Sequence, residues 1–197
     1  MFAPEEVREK LGLGDLPAEF VPGNNIAPGS NIPVIINPVN RAVQMFRWGL
    51  IPGWAKDPKI GYKMFNARAE TIAEKPSFRV PFQQRRCLIP ADGFYEWKVE
   101  DGKKYPYLFT LKDKTMFTFA GLWETWLSKE GEVVNSCTII TTEPNSLVAQ
   151  YHDRMPVIFT GNDSWQWLED RPQNELKAML VPCAVEIMEK PQWLERI

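Results

Sequence analysis

The sequence predicts one α+β domain, built mostly from antiparallel, barrel-like β-sheet with short peripheral helices. The chain has 197 residues, a length that suits a single domain with a substantial core. Its 17 Pro, 11 Phe and 8 Trp are typical of β-rich proteins with ordered loops. Short apolar runs separated by turn signals recur without a repeat or a linker, so we assign residues 1–197 to one domain.

The N-terminal part begins with a helix and continues as a loop and a hairpin. Pro4–Leu11 is predicted to be a short helix, with Pro in its first turn and Gly12 as its stop. Pro17–Gly29 is rich in Pro, Gly and Asn, which predicts a long structured loop. Ile32–Ile36 and Ala42–Gly49 are predicted to form a hairpin around an Asn-Pro-Val-Asn turn.

The middle of the chain mixes irregular segments with the most informative strand. Leu50–Met64 is predicted to be irregular, Asn66–Glu74 to begin as a loop and turn helical, and Pro76–Gln84 to be a short helix or loop. Arg85–Trp97 begins as a strand, breaks at a Pro-Ala-Asp-Gly turn signal and resumes as the aromatic run Phe94–Trp97.

The remaining elements are short strands and helices. Asp101-Gly102 is a hairpin-turn signal directly ahead of the first of these strands. Strands are predicted at Tyr105–Leu111, Met116–Trp126, Val133–Thr142, Val157–Phe159 and, closing the sheet, Ala184–Met188. Short helices are predicted at Pro144–Tyr151, Ser164–Glu169 and Asn174–Leu180.

Composition and charge describe an ordinary soluble protein. Hydrophobic residues make up 44% of the chain and charged residues 24%. The net charge is −2, so a nucleic-acid site would have to be a local basic patch. The start of the chain shows no signal-peptide pattern and no apolar run reaches membrane-spanning length, so we expect a cytoplasmic protein.

Cysteine and histidine usage argues against a metal site. Cys87, Cys137 and Cys183 are odd in number and widely spaced, which favours buried free thiols over a disulfide framework or a zinc site. His152 is the single histidine, so no multi-histidine site can form. Phosphate-loop and Gly-x-Ser-x-Gly patterns are absent from the sequence. We expect no metal and no cofactor.

Glu96 is the carboxylate that draws most attention. It stands between Tyr95 and Trp97, where a freely solvated side chain is not expected. Partial burial would disfavour the charged form and raise its pKa, which suits a residue that transfers protons. A strand glutamate paired with a nearby arginine is the structural alternative, and this stretch alone leaves both open.

His152 lies between a predicted helix and a predicted strand, in Tyr151–Pro156. Histidine accepts and releases protons near pH 7, so it could act as acid or base. Polar residues cluster at this junction, and sites often form on such loops. The structural alternative is a loop histidine bonded to a neighbour.

Two further groups could contact a ligand. Asn66, Arg68 and Glu70 alternate and would project from one side of an extended segment, although a helix start with an Arg–Glu pair explains them as well. Arg47 and Trp48 precede a stretch that mixes tryptophan with lysine, as in grooves that bind single-stranded nucleic acid. Core tryptophans beside solvated charges are the alternative.

Taken in order, six blocks resemble the SOS-response-associated peptidase (SRAP) family and together cover nearly the whole chain. They are Asn24–Gly29, Arg47–Pro52, Asn66–Thr71, Arg85–Trp97, Phe119–Glu124 and His152–Pro156. The resemblance implies a DNA-damage protein that binds abasic sites in single-stranded DNA, with lyase or autopeptidase-type activity. An N-terminal cysteine of such proteins reacts with the ring-opened sugar to give a Schiff base and then a thiazolidine crosslink.

The resemblance also assigns roles to residues of this chain. Its catalytic positions fall on Asn66, Glu96 and His152. Asn66 would orient the cysteine or the sugar, Glu96 would accept a proton from the terminal amine, and His152 would shuttle a proton. Phosphate contacts would come from Arg47, Arg68 and Arg154, and Trp48, Trp97 and Pro28 would shape where bases stack.

The start of the chain departs from the family pattern. Family members open with Met-Cys-Gly-Arg-Phe, whereas this sequence opens Met1-Phe2-Ala3-Pro4, so we expect the crosslinking cysteine to be missing and crosslinking to need its restoration. The internal cysteines have no free amine and cannot form the same thiazolidine. We also expect the Met1 amine to lie too far from Glu96 to replace it.

The residues and the resemblance lead to three hypotheses about function. The first is a self-crosslinking abasic-site protein, acting as a monomer in the cytoplasm and at the nucleoid. The second is a non-catalytic module that binds single-stranded DNA in the same groove. The third is a peptidase or hydrolase that uses Glu96 and His152, and no serine nucleophile pattern supports it.

Overall fold

A computed structural model describes residues 3–194 of the chain, apart from the side chain of Asp113. The expectation about Met1 therefore concerns a residue outside the described range. The strands are β1 Asn31–Ile35, β2 Val43–Trp48, β3 Asn66–Arg68, β4 Arg86–Ala91, β5 Phe94–Glu100, β6 Lys103–Phe109, β7 Phe117–Leu127, β8 Val133–Thr142, β9 Met155–Pro156, β10 Ile158–Phe159 and β11 Gln192–Trp193.

The helices are short. The α-helices are α1 Pro4–Leu11, α2 Arg79–Gln84, α3 Asn162–Leu168 and α4 Gln173–Ala178. Single 3₁₀ turns lie at Pro58–Lys63, Ala69–Thr71, Lys112–Lys114, Val148–Gln150 and Val185–Ile187. Within the described residues, no helix is long and apolar enough to cross a membrane.

Five strands close into a ring of pairings. β7, β4, β1, β2 and β8 are neighbours in that order, and β7 pairs back onto β8. Most pairs are antiparallel, but β8 runs parallel to both β2 and β3, so the sheet is mixed. The predicted α+β fold is confirmed, with the ring as its frame.

Both faces of the ring are buried. Cys87 and Ile89 of β4 belong to one apolar cluster, and Leu88 between them belongs to the other. Since neighbouring side chains of a strand point to opposite faces, a strand with two covered faces is apolar throughout. The continuous apolar run in β4 therefore follows from its central place in the sheet.

The chain leaves the ring between β4 and β5. A Cβ atom at Gly93 would meet the Leu108 Cδ1 and the Phe109 carbonyl oxygen at 2.9 Å, so only glycine fits this approach. β5 then pairs with β6 around Asp101-Gly102, where φ is 50° and 74°. Two positive φ values are those of the tight hairpin turn that the sequence predicts.

Some predicted elements are wrong. Pro144–Tyr151 is not a helix over its length, since only Val148–Gln150 form a 3₁₀ turn. Asn66–Glu74 does not begin as a loop: its first three residues form β3, because the end of β8 offers them a parallel partner. Ala184–Met188 is not a closing strand. Val185–Ile187 form a 3₁₀ turn, and Met188 makes only a single bridge to Leu111. The last strand is β11, which pairs with β6.

Candidate active site

Glu96 lies on β5, directly opposite Tyr107 of β6. Its side chain is 17% exposed. Burial raises the pKa of Glu96 to about 7, while the charge of His152 acts to lower it and that of Asp153 to raise it. A carboxyl group in this state can both accept and release a proton near neutral pH. The structure thus confirms the half-buried carboxylate expected from the aromatic flanks.

Aromatic contacts place His152 beside Glu96. Tyr151 packs edge-on against Tyr107 and Phe109, with ring centroids 4.7 Å and 5.2 Å apart. Both partners lie on β6, next to the strand that carries Glu96. Because His152 follows Tyr151 in the chain, this packing sets the imidazole against β5.

The imidazole of His152 is surrounded by polar groups on its Nδ1 side. Nδ1 lies 3.8 Å from the Glu96 Oε2 and 3.4 Å from the Asp153 Oδ1. It accepts a hydrogen bond of 3.1 Å from the Arg154 backbone N–H, and the Arg154 carbonyl oxygen is also 3.1 Å away. When Nδ1 accepts from that N–H, the proton of the neutral ring sits on Nε2. On protonation, Nδ1 can donate to the carbonyl.

The pair opens on a cavity of about 430 Å³, lined by Glu96, Trp97, Val99, Lys104 and His152. Trp97 is 42% exposed, as a side chain available to a ligand would be. The arrangement provides an acid–base pair at the surface with an aromatic side chain beside it. Within residues 3–194, no cluster of three or more His, Cys, Asp and Glu side chains could hold a metal ion.

Asn66 and Arg68 lie on β3, which pairs with the end of β8. Both are exposed, and they alternate with the buried Ala67 on β3. They therefore project from one side, as predicted. Glu70 lies in the turn that follows. The alternative interpretation predicted a pair between Glu70 and Arg68. The Glu70 carboxylate instead bonds to Arg154.

Three hydrogen bonds to two protein groups hold the side chain of Arg154. Its guanidinium donates to both carboxylate oxygens of Glu70, at 2.7 Å and 2.9 Å, and to the Thr141 carbonyl at 2.7 Å. The side chain is 19% exposed. As a phosphate ligand, Arg154 would have to share these bonds.

Arg47, Trp48 and Pro28 lie on the neighbouring part of the surface. The indole of Trp48 is half-buried and donates to the Phe65 carbonyl at 2.8 Å. The guanidinium of Arg47 lies 4.8 Å above the ring of Tyr62. A Cβ atom at Gly29, next to the exposed Pro28, would lie 3.7 Å from that ring.

Sequence reasoning assigned no role to Tyr62, Asp153 or the Glu70–Arg154 pair. Tyr62 is 62% exposed although it is aromatic, a property that only the tertiary structure reveals. Asp153 follows the single histidine directly, which was an available signal. Glu70 and Arg154 are 84 positions apart, and no sequence signal indicated that they pair.

The cysteines lie inside the protein. Cys87 and Cys137 are fully buried, and Cys183 is half-buried. Burial raises the pKa of all three thiols, that of Cys183 to about 11. Thiols in this state are poor nucleophiles at neutral pH. All three are free, as predicted.

Comparisons with known proteins agree with this picture. The family model described as SOS response associated peptidase (SRAP) matches residues 1–192. The abasic site processing protein YoqW of Bacillus subtilis is 51% identical over 178 residues, which are 88% of this chain and 80% of YoqW. The abasic site processing protein HMCES of Xenopus tropicalis is 31% identical over 183 residues, covering 77% of this chain and 55% of HMCES.

Solved structures share the fold. A protein from Bordetella bronchiseptica superimposes with a TM-score of 0.85 at 28% identity, covering 97% of this chain and 95% of its own. A protein from Bacteroides thetaiotaomicron gives a TM-score of 0.80 at 36% identity, over 85% of this chain and 75% of its own.

Proposed function

Because this chain belongs to the SOS response associated peptidase (SRAP) family, we propose that it processes abasic sites in single-stranded DNA. The covalent step needs an N-terminal cysteine, as in the family's Met-Cys-Gly-Arg-Phe opening, whereas this sequence opens Met1-Phe2-Ala3-Pro4. One observation carries the proposal: a half-buried glutamate with a pKa of about 7 beside the single histidine, at the mouth of a surface cavity.

The reaction is an addition followed by loss of water. The cysteine amine attacks the aldehyde carbon of the ring-opened sugar, and the resulting carbinolamine loses water to give an imine. The thiol sulfur then adds to the imine carbon and its proton passes to the nitrogen, which closes a thiazolidine. No oxidant or reductant is needed, so acid–base groups are sufficient.

Glu96 and His152 divide the proton transfers. Glu96 accepts a proton from the terminal ammonium, so that the amine can attack, and returns it to the departing hydroxyl group. His152 moves the proton that opens the sugar ring, through the Nε2 that its Nδ1 contacts leave available. Asn66 orients the cysteine or the sugar by hydrogen bonding.

DNA contacts come from the surface around this pair. Arg47, Arg68 and Arg154 face the phosphates, and Trp48, Trp97 and Pro28 shape the place where bases stack or part. The protein acts as a monomer in the cytoplasm and at the nucleoid, in the response to DNA damage.

The test uses the chain with Met-Cys-Gly-Arg-Phe ahead of residue 3 and single-stranded DNA with one abasic site. We expect a heat-stable adduct on a denaturing gel. Glu96→Gln should slow its formation by about 100-fold or more and remove an inflection near pH 7 from the rate profile. Glu100→Gln, which changes an exposed carboxylate on the same strand, should stay within about twofold of the unsubstituted protein.

Other outcomes identify other functions. DNA binding without any adduct, by a folded protein, would contradict the crosslinking proposal and favour a binding module. Cleavage of a peptide that Glu96→Gln abolishes would favour a peptidase. An adduct that forms equally well after the cysteine of the added segment is changed to Ser would exclude the thiazolidine.

A further inference from the structure

We infer that Glu70 is a positioning residue. It fixes the side chain of Arg154 in the loop that carries His152, and it withholds the positive charge of Arg154 from DNA. This inference rests on the proposed function and concerns the same site. It arises from the carboxylate–guanidinium pair that joins two segments 84 residues apart in the chain.

The pair has the geometry of a strong interaction. Two parallel bonds of 2.7 Å and 2.9 Å join the guanidinium of Arg154 to the carboxylate of Glu70. The hydrogen bond from Arg154 lowers the pKa of Glu70, so the carboxylate stays charged at neutral pH. Planar, bidentate pairs of this kind lose less entropy than ordinary surface ion pairs.

A third bond fixes the pair to the ring. The same guanidinium donates to the Thr141 carbonyl near the end of β8. In the sheet, Thr141 is opposite Arg68 of β3 on one side and Pro156 of β9 on the other. The pair therefore crosses the end of β8 and ties the strand that carries Asn66 to the loop that carries His152.

The connection continues to the imidazole. The backbone N–H of Arg154 donates to Nδ1 of His152 at 3.1 Å. A displaced Arg154 would move that N–H and release the ring from its orientation towards Glu96. Misplacement of a catalytic group by about 1 Å can cost about 100-fold in rate.

The pair also limits what Arg154 can offer to DNA. The Arg154 side chain is 19% exposed and its Nε is buried without a hydrogen-bond partner, so phosphate can reach only a small part of it. The Glu70 side chain is 51% exposed and adds a negative charge to the same surface. Glu70 thus favours a correctly placed His152 at the expense of DNA affinity.

Glu70→Gln tests this division because it keeps the size of the side chain and removes the charge. We expect undamaged single-stranded DNA to bind about fivefold tighter at 0.1 M salt, with the slope of log K against log salt steeper by about 0.7, the value for one more phosphate contact. In the cysteine-bearing chain with saturating abasic DNA, the crosslinking rate should fall by about tenfold or more.

Two controls separate position from charge and folding. Glu74→Gln removes a nearby exposed carboxylate that lies outside the pair, and should change neither the slope nor the rate by more than about twofold. In an Arg154→Ala background, Glu70→Gln should not lower the crosslinking rate further, because its effect on His152 passes through that guanidinium. Thermal unfolding of each variant confirms that the fold is intact.

Weaker DNA binding by Glu70→Gln, an unchanged salt slope or an unchanged crosslinking rate in an active parent protein would overturn the inference. Absence of an adduct from the parent protein would instead refute the proposed function. The salt slope on undamaged DNA would then still decide whether Glu70 withholds a charge.

Discussion

At the scale of single residues, Glu96 illustrates how burial can outweigh a neighbouring opposite charge. Its carboxyl group is mostly removed from water, and this cost raises its pKa more than His152 lowers it. The group is protonated more readily in the folded protein than in the unfolded chain. The raised pKa of Glu96 therefore reduces the stability of the fold at neutral and alkaline pH.

The pH dependence of stability should reveal this cost. Below pH 4.5, Glu96 is protonated in both the folded and the unfolded state and does not lower the free energy of unfolding. Between pH 4.5 and 7 it ionises only in the unfolded chain, so the free energy of unfolding falls as the pH rises. Above pH 7 this decrease is complete. The free energy of unfolding of Glu96→Gln, relative to that of the wild type, should rise by about 3 kcal/mol from pH 4.5 to pH 8.

Urea unfolding at a series of pH values measures this difference. Glu100→Gln serves as the control, since its carboxylate is 46% exposed and its difference from the wild type should vary much less with pH. If the difference in free energy of unfolding between Glu96→Gln and the wild type stays constant across the pH range, the folded protein does not raise the pKa of Glu96.

At the scale of elements, Arg86 holds two helix ends against the ring. Its guanidinium donates to the carbonyls of Phe82 and Gln83 in α2, and to those of Trp167 and Glu169 at the end of α3. The last carbonyls of a helix have no partner within it, and one buried cation satisfies both sets here. Both helices are short and depend on such contacts more than on propensity.

Arg86→Met should therefore lower the free energy of unfolding by roughly 3 kcal/mol or more, because two buried and two part-buried carbonyl groups lose their donor. Arg86→Lys keeps the charge but makes fewer hydrogen bonds, so its free energy of unfolding should lie between those of the wild type and Arg86→Met. Arg79→Met, at an exposed arginine of α2, should change stability by less than about 0.5 kcal/mol. Chemical denaturation measures all three; equal losses at the two arginines would refute this role.

At the scale of the whole molecule, the proposed DNA binding concerns a protein that carries a net charge of −2. Affinity then depends on where the cations are rather than on their number. Arg68 is exposed on β3, on the same side as Asn66, whereas Arg8 is exposed on α1. The two arginines are equal in charge and differ only in place.

We expect Arg68→Ala to weaken binding of single-stranded DNA and to make the salt slope shallower by about 0.7, the value for one lost phosphate contact. Arg8→Ala should leave both unchanged. Fluorescence anisotropy with a labelled oligonucleotide over a range of salt concentrations gives the two slopes. Equal effects of the two substitutions would indicate binding through general charge and would contradict a groove beside β3.

The sequence by itself determined the local features of this protein. The turn residues Asp101 and Gly102 predict the hairpin, the strand predicted at Val133–Thr142 has the observed bounds of β8, and the aromatic neighbours of Glu96 predict its burial. These depend on backbone preferences and on neighbours along the chain, which the sequence states directly.

Only the tertiary structure decided which distant residues meet. Glu96 faces His152 because the β5–β6 hairpin packs against Tyr151, and Glu70 binds Arg154 because β3 and β9 both pair with β8. The same long-range pairing made Asn66–Arg68 a strand and left Val185–Ile187 as a turn. Partners across a sheet are selected by closure of the whole ring, and no local pattern contains that information.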